Sequence, residues 1–536
     1  YGQVNGVRAL RRVQGTHRWT VTFEDLSSAN ALLLVGTNVT ETNPITGLRI
    51  KEAVKKHGAS LLTIEALVPA VGKISNIANL STHDFAGRPD QFGTMVLAFI
   101  KAVIEENLVD SELTQQAPGY VRAIADALGA ISWDSLETAT GRASPAWRDA
   151  ARVFAQAKRA IIIVGQGVLR HPGGLGITTN LLDLLLLTGH HGRRGCGLAT
   201  LAEENNDQGA VEMGAVAEFL PGPSDVTDRQ ARERLAGLWK EELPQGAGRT
   251  LMGILKEAKK GAVKALYVVG ENPVGSLPPS SGAKEALQQC EFVVCQELFM
   301  TETAALAHVV LPAASYAEKD GTFTNTEGLV QPVRQAIDPI GESRPDWEIL
   351  SSLSVLMGYP IEYGDAKEIF KEIRSVIPGS ALLGPVPMPP RPDAAVVNQY
   401  LESGYAEDLA NRYGLTRRIR NEKSFTLVLS QSLFHSGKFS TRAKGLLDVE
   451  ADGKLALNTI DAGTLNIMEG DRVRVANERG EMTTTVTLRD RLPEGLVTFP
   501  EHFDEQALSL MSLMIDDRTG VPYYRAASVR IEKARG

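Results

Sequence analysis

Ala31-Leu-Leu-Leu-Val-Gly-Thr-Asn38 is an unbroken apolar run that stops at a glycine and passes into polar residues. The same design returns at Ala160-Ile-Ile-Ile-Val-Gly-Gln-Gly167 and at Ala265-Leu-Tyr-Val-Val-Gly-Glu-Asn-Pro273. Five apolar residues without alternation suit a strand buried on both faces, which is the environment of a parallel sheet sandwiched by helices. Helical patterns follow each run, at Thr46–His57, Gly174–Leu187 and Gly282–Gln289. Further buried strands are expected at Ser60–Ile64, Glu291–Cys295 and His308–Leu311. Strands alternating with helices predict an α/β fold with two doubly wound, Rossmann-like parallel-sheet lobes.

A glycine at the carboxyl end of a parallel strand is where open α/β sheets bind ligands, and its bare backbone can approach a phosphate. That makes Gly36, Gly165, Gly167 and Gly270 candidate cofactor-binding residues, and the loops they open add Asn38, Glu41, Glu271, Asn272 and Pro273 as further candidates. No G-x-x-x-x-G-K-[ST] loop occurs, and no G-x-G-x-x-G follows a strand. A nucleotide bound here would therefore be held without either of those devices.

The remaining composition narrows the function further. At roughly 150 residues per domain, 536 residues make three or four domains. Fifty-six Lys and Arg against 64 Asp and Glu leave a net charge of −8, so a nucleic-acid backbone is not an expected partner. Cys196, Cys290 and Cys295 are too few to staple the chain and cannot supply four thiolates to an iron–sulfur cluster. They read as small buried hydrophobes in a reducing, cytoplasmic setting. The run Leu181–Leu187 is interrupted by Asp183 and falls far short of the ~18 apolar residues a membrane span needs, so no membrane insertion is expected.

Beyond residue 375 the chain changes character. Proline and glycine crowd between Pro378 and Pro392, which reads as a linker over 376–423, with a short helix at Tyr400–Tyr413. From 424 to 536, alternating or β-branched runs such as Phe425–Leu429, Arg472–Ala476, Met482–Leu488 and Leu496–Phe499 predict a C-terminal β-barrel of the six-stranded type. The two lobes are expected over 1–145 and 146–375, with the 310–375 part returning to the first.

Longer motifs carry a family resemblance. Gly165-Gln-Gly-Val-Leu-Arg-His171, Thr188-Gly-His-His-Gly-Arg-Arg-Gly-Cys-Gly197 and Glu204-Asn-Asn-Asp-Gln-Gly-Ala-Val-Glu-Met-Gly214 occur in that order. Gly270–Pro273, Thr301-Glu-Thr-Ala304 and Ala317-Glu-Lys-Asp-Gly-Thr-Phe-Thr-Asn-Thr-Glu-Gly328 follow. In the tail, Gly470-Asp-Arg-Val-Arg-Val475 and Pro522-Tyr-Tyr-Arg525 continue the series. Together, from about Phe23 to Val529, the chain resembles the molybdopterin oxidoreductases, a group that holds formate dehydrogenases and the large iron–sulfur subunit of NADH:quinone oxidoreductase (complex I). The resemblance implies bis(molybdopterin guanine dinucleotide) carrying molybdenum or tungsten, and partner subunits in a multisubunit redox complex at the inner face of the cell membrane. It adds Glu65, Asn206, Gln208, Thr301, Glu302, Asp320, Thr322 and Asn325 to the cofactor candidates. A loop before the barrel adds His435, Ser436, Gly437, Thr441 and Arg442, and the barrel adds His502 and Phe503.

The departures from the family pattern matter as much. The chain opens Tyr-Gly-Gln-Val-Asn, and no thiolate ligand for a metal is visible, so cluster and metal-ligand residues are expected upstream. Formate dehydrogenases carry an arginine before Asn-Asn-x-Gln-Gly-Ala, where a guanidinium can hold a carboxylate; here Ala202 stands in that place. The family's Asp-Pro-Arg turn is Glu65-Ala66-Leu67, and its Pro-Gly-Thr-Asp is Ala86-Gly-Arg-Pro-Asp90. Asn325-Thr-Glu-Gly-Leu-Val-Gln331 lies closer to the complex I subunit. These features favour a mainly structural complex I module, with no catalytic or metal-ligating residue of its own. The alternative is an active formate dehydrogenase-type catalytic subunit. Other conspicuous residues read as ordinary: His190-His191 as loop histidines, Asp225–Glu242 as a solvated helix, Trp347 and Phe323 as core, and Ser436 as no part of a hydrolase triad.

Overall fold

A computed structural model describes residues 4–65, 77–202, 204–377, 424–435, 437–490, 492–503, 505–516, 519–524 and 526–534. The chain divides into two compact units, one of residues 1–204, 385–510 and 514–536 and the other of residues 205–384 with 511–513.

The first unit is built on β1 (Ala31–Val35), β2 (Ser60–Glu65), β3 (His83–Ala86), β4 (Ala160–Val164) and β5 (Gly197–Thr200). All pair in parallel, in the order β3-β2-β1-β4-β5. The alternation of side chains along a strand divides these residues between two cores. Leu33, Val35, Leu62, Ile64, Ile162 and Val164 share one core with Met95, Phe99, Trp147 and Leu184. Leu32, Leu34, Leu61, Ile161 and Ile163 share the other with Trp19, Leu26, Ile50 and Ala53. Each fully buried aliphatic side chain contributes about 1.5–3 kcal/mol, so the runs that looked unpatterned carry both layers at once.

The helices around this sheet start and stop where their end residues dictate. Among them are α1 (Val4–Gln14), α2 (Phe23–Ser28), α3 (Pro44–His57), α4 (Phe92–Glu105), α5 (Gln166–Leu169) and α6 (Gly174–Leu187). Thr22 and Asp25 form a reciprocal capping box at the start of α2. In α3, Pro44 fills the first turn and Gly58, at φ 68°, closes the last. In α6 the apolar run Leu181–Leu187 is buried on every side. No helix among the described residues is long and apolar enough to cross a membrane.

This topology moves the expected boundary. Strand β4 had been placed in a second lobe beginning at residue 146, yet it hydrogen-bonds directly to β1. The first sheet therefore extends to Thr200, because the partner that buries β1's second edge comes from 129 residues further along.

The second unit carries a three-stranded parallel sheet of β6 (Ala265–Val269), β7 (Phe292–Glu297) and β8 (Val309–Pro312), with β7 central. Strand β6 is an edge strand whose residues alternate between exposed and half-buried, unlike the full burial its composition suggested. A hairpin of β9 (Gly321–Thr324) and β10 (Val330–Val333) follows. Because β8 pairs with β7, residues 310–375 belong to this unit and do not return to the first. The charged stretch around 225–242 forms the helix Arg229–Trp239, capped by Asp228, with Leu235 buried. Trp347 and Phe323 are half-buried. The helix expected at 400–413 and the linker beyond Ile377 lie outside the described residues.

The tail closes into a six-stranded barrel of β11 (Phe425–Ser430), β12 (Lys454–Leu457), β13 (Arg472–Ala476), β14 (Glu481–Leu488), β15 (Leu496–Pro500) and β16 (Ala526–Lys533). Strand β11 lies parallel to β15 and antiparallel to β16, which removes the free edges of the sheet.

Candidate functional site

In the order 3-2-1-4-5 the connections leave β1 and β4 in opposite directions, so their carboxyl ends part and open a crevice. The loop after β1 and the turn after β4 line it with Gly36, Thr37, Asn38, Glu41, Asn43, Gln166 and Gly167. The tail contributes Val428, Leu429, Ser430, Gln431 and Tyr523 to the same hollow of about 780 Å³. A second hollow of about 1080 Å³ shares Glu41, Ser430 and Gln431 with it and adds Glu450, Lys454 and Arg489.

The glycines here serve close packing of one loop on the other. Gly36 has φ 62°, and its amide donates to the Ile64 carbonyl at 2.8 Å. The Gly165 amide donates to Val35 at 3.0 Å, and the Gly167 amide to Gly36 at 3.1 Å. A Cβ at Gly165 would stand 2.2 Å from the Thr37 Cβ, and one at Gly167 would stand 2.8 Å from the Gly36 oxygen. All three amides are thus taken up within the fold, and polar side chains face the hollow instead.

Those side chains also secure the segment after β5. Gln166 Nε2 donates to the Leu201 carbonyl at 2.9 Å, while its buried Oε1 has no hydrogen-bond partner among the described residues. Asn43 sits at the N-cap of α3 but leaves the helix uncapped, and its Nδ2 donates to the Ala202 carbonyl at 2.9 Å. Arg170, which closes α5, pairs with Glu204. Next to it, His171 Nδ1 accepts from the Gly173 amide at 3.0 Å, and its ring meets Tyr523 at 5.4 Å. Burial lowers the His171 pKa to about 4, against the opposing pull of Asp90 and Asp516.

Glu65 ends β2 on this carboxyl edge. Both of its carboxylate oxygens are buried without a hydrogen-bond partner among the described residues. Burial, then the nearby Asp84 and Glu41 charges, holds its pKa well above the usual range.

The remaining candidates fall into separate groups. In the second unit, Gly270–Pro273 and Thr301–Glu302 come together around Asn272. Its Oδ1 accepts from the Thr303 amide at 3.1 Å and the Thr303 hydroxyl at 2.8 Å, and its Nδ2 donates to Glu302 at 2.7 Å. Ser276 donates to Glu271 at 3.2 Å. Asn206 accepts from the Thr324 amide at 2.8 Å, which brings Asn206 and Gln208 beside the hairpin that carries Thr322. Asp320 accepts from the Gln335 amide at 2.9 Å, and Asn325 accepts from the Glu327 and Leu329 amides in the hairpin turn, so both shape the hairpin.

Before the barrel, His435 lies 2.9 Å from the Glu450 carbonyl through Nε2 and 3.2 Å from Ser440 through Nδ1. Phe503 packs edge-on against it at 4.8 Å, and His502 is buried. Gly437 has φ 64°, Thr441 donates to the Lys438 carbonyl at 2.7 Å, and the Arg442 amide donates to Phe439 at 3.2 Å. Ser436 lies outside the described residues. His190 bridges Thr188 and the Ala157 carbonyl, a structural use of a loop histidine. Among the described residues no group of three or more His, Cys, Asp or Glu is placed to hold a metal ion.

Sequence reading missed Gln166, Asn43, Gln431 and Tyr523. Gln166 stood between two glycines that were themselves singled out, and Tyr523 lies within the Pro522–Arg525 motif; Asn43 and Gln431 carry no local motif.

Known proteins share this architecture. The profile described as Molybdopterin oxidoreductase matches residues 9–355, and that of the Molydopterin dinucleotide binding domain matches residues 428–528. The chain is 30% identical to the F420-dependent formate dehydrogenase subunit alpha of Methanocaldococcus jannaschii, over 97% of its own length and 79% of the relative's. It is 28% identical to formate dehydrogenase H of Escherichia coli, over 98% of its own length and 76% of the relative's. The solved acetylene hydratase from Pelobacter acetylenicus has the same fold, with a TM-score of 0.75 at 17% identity, covering 99% of this chain and 81% of that one. A parallel sheet with its switch-point crevice, a second α/β unit and a closed barrel occur here in one chain that matches both profiles, and the chain belongs to the molybdopterin oxidoreductase family.

Proposed function

We propose that this chain is the alpha subunit of a formate dehydrogenase-like oxidoreductase and carries molybdopterin guanine dinucleotide. The observation that carries the reading is the crevice at the switch point, with a buried Gln166 oxygen on its wall that has no partner among the described residues. The similarity to formate dehydrogenase alpha subunits along nearly the whole chain supports this enzyme reading over a complex I scaffold.

The residues present fit such a group. Thr37, Asn38, Asn43, Ser430 and Gln431 offer neutral donors and acceptors to a sugar or base, and Glu41 offers an acceptor to base N–H groups. The buried, unpartnered Glu65 carboxyl supplies further acceptor capacity on the same sheet edge. In the second unit, the Gly270–Pro273 loop with Thr301 and Glu302 is a separate candidate for a nucleotide end. The cofactor, when bound, would supply two-electron chemistry at molybdenum or tungsten. The chain's own residues would hold it and orient it. Partner subunits would pass the electrons on, and a cytoplasmic setting suits the three unpaired thiols.

The test is composition and turnover of the full protein. Purified protein is expected to contain molybdenum or tungsten with releasable guanine nucleotide, and to reduce a dye with formate. Protein purified after molybdate- and tungstate-supplied expression that holds neither metal nor pterin would return the chain to the scaffold reading.

A further inference from the structure

We propose that two copies of this chain pair through strand β6, antiparallel about a two-fold axis at Tyr267, and so join their second-unit sheets into one. The inference stands apart from the function proposed above. In the order β8-β7-β6, β6 is an edge strand. The Phe292 amide donates to the Lys264 carbonyl at 3.1 Å and the Gly270 amide to the Gln296 carbonyl at 2.9 Å, which sets the ladder with β7. Leu266 and Val268 therefore turn their backbone groups toward β7, and Ala265, Tyr267 and Val269 turn theirs outward. Among the described residues no other strand or loop takes up those outward N–H and C=O groups. All three residues are exposed.

The opposite edge of the same sheet is protected. Strand β8 ends in Pro312, and Arg344 runs beside it, its amide donating to the Pro312 carbonyl at 3.2 Å and its carbonyl accepting from Ala314 at 2.8 Å. Proline, charge or a covering segment is how proteins blunt a sheet edge. Strand β6 reads Ala-Leu-Tyr-Val-Val and holds neither proline nor charge.

The strand complements itself. About the two-fold axis Tyr267 faces Tyr267 of the second copy, Ala265 faces Val269, and on the other side of the sheet Leu266 faces Val268. Every facing pair is apolar. No other antiparallel register matches all three outward residues with outward residues. Charge agrees with the direction. Lys264 precedes the strand, after Lys259 and Lys260 end the preceding helix, while Glu271 follows it and Glu302 bonds to Asn272. Antiparallel pairing lays the basic start of each copy beside the acidic end of the other; parallel pairing would set like beside like. The contact is isologous, so it closes after two copies and leaves no bare β6 edge to seed a fibre.

Sedimentation velocity and cross-linking of the full purified chain test this. Wild type is expected to sediment as a dimer in the micromolar range. Tyr267→Cys should form a disulfide-linked dimer on mild oxidation, because facing Cα atoms in a hydrogen-bonded antiparallel pair stand ~5.5 Å apart, within a disulfide's span. Val309→Cys, exposed on β8, should give no covalent dimer, and the native Cys196, Cys290 and Cys295 are buried. Val269→Lys keeps the ladder with β7 but sets a lysine beside Lys264 of the second copy, and should weaken the dimer about tenfold or more. A wild-type monomer throughout the micromolar range, no covalent dimer from Tyr267→Cys, or a dimer unchanged by Val269→Lys would each overturn the proposal. So would a purified complex in which Tyr267→Cys cross-links to a different subunit.

Discussion

The amide of Gly167 donates to the carbonyl of Gly36 at 3.1 Å, joining the two loops that leave the sheet in opposite directions. A side chain at Gly167 would meet that same oxygen at 2.8 Å, which is backbone and cannot rotate aside. Gly167→Ala is therefore expected to force the loops apart and cost about 1–3 kcal/mol. Gly237 lies within the helix Arg229–Trp239, with nothing near its missing Cβ. Gly237→Ala should instead stabilise the protein by about 0.5–1 kcal/mol through helix propensity. Urea midpoints for the two variants should move in opposite directions; a shared direction would mean the packing argument is wrong.

Glu65 should make stability depend on pH. Its folded-state pKa is raised by burial and by Asp84 and Glu41, so the folded protein holds this proton more tightly than the unfolded chain. The contribution is fully present below the ordinary glutamate range and is lost as pH rises through the raised value. Over that window wild type should lose about 1.4 kcal/mol per pH unit relative to Glu65→Gln. Chemical denaturation of both proteins from the ordinary glutamate range upward measures the divergence, and parallel curves would show that Glu65 finds a partner.

His171 acts in the opposite sense. Its pKa is lowered to about 4, and its Nδ1 is engaged as an acceptor from Gly173, so the folded protein keeps the ring neutral. Stability from this group is present above the unfolded histidine value near 6.5 and is lost as pH falls toward about 4. His171→Asn should flatten the acid limb of the stability profile between those values. NMR of the imidazole carbons gives the direct check: a ring that titrates near 6.5 in the folded protein would contradict the neutral, buried assignment.

Asn272 joins two loops of the second unit with one side chain. Asn272→Ala leaves the Thr303 amide and hydroxyl and the Glu302 carboxylate without that partner, an expected cost of about 1–3 kcal/mol. Hydrogen exchange should accelerate in 270–276 and 301–304 while the barrel strands stay protected. Unchanged exchange in both loops would show that other contacts hold them.

Much of the architecture was legible in the chain. Ala31–Val35 and Ala160–Val164 read as doubly buried strands and are fully buried, because apolar composition reports burial directly. The tail's alternation gave four barrel strands, while Lys454–Leu457 and Ala526–Lys533 escaped notice. The first is only four residues long, and the second carries exposed Ser528, Arg530 and Glu532 on its outer face. The site was less legible. Gly36, Gly165 and Gly167 were expected to let a phosphate approach, but what approaches each is the other loop or strand; their amides are spent on Ile64, Val35 and Gly36.

Local residue patterns alone settle that the chain forms parallel α/β sheets and a terminal barrel, since strand burial and side-chain period are properties of a few neighbouring residues. Its motifs likewise carry the family. Which strand end lies beside which was decided only in three dimensions. Val35 pairs with Val164 across 129 residues, and that pairing creates the crevice, places Gln166 on its wall and lets Asn43 hold Ala202. Hydrogen bonds between distant loops leave no periodic trace in sequence, because each needs only one polar side chain at the right end of the right strand.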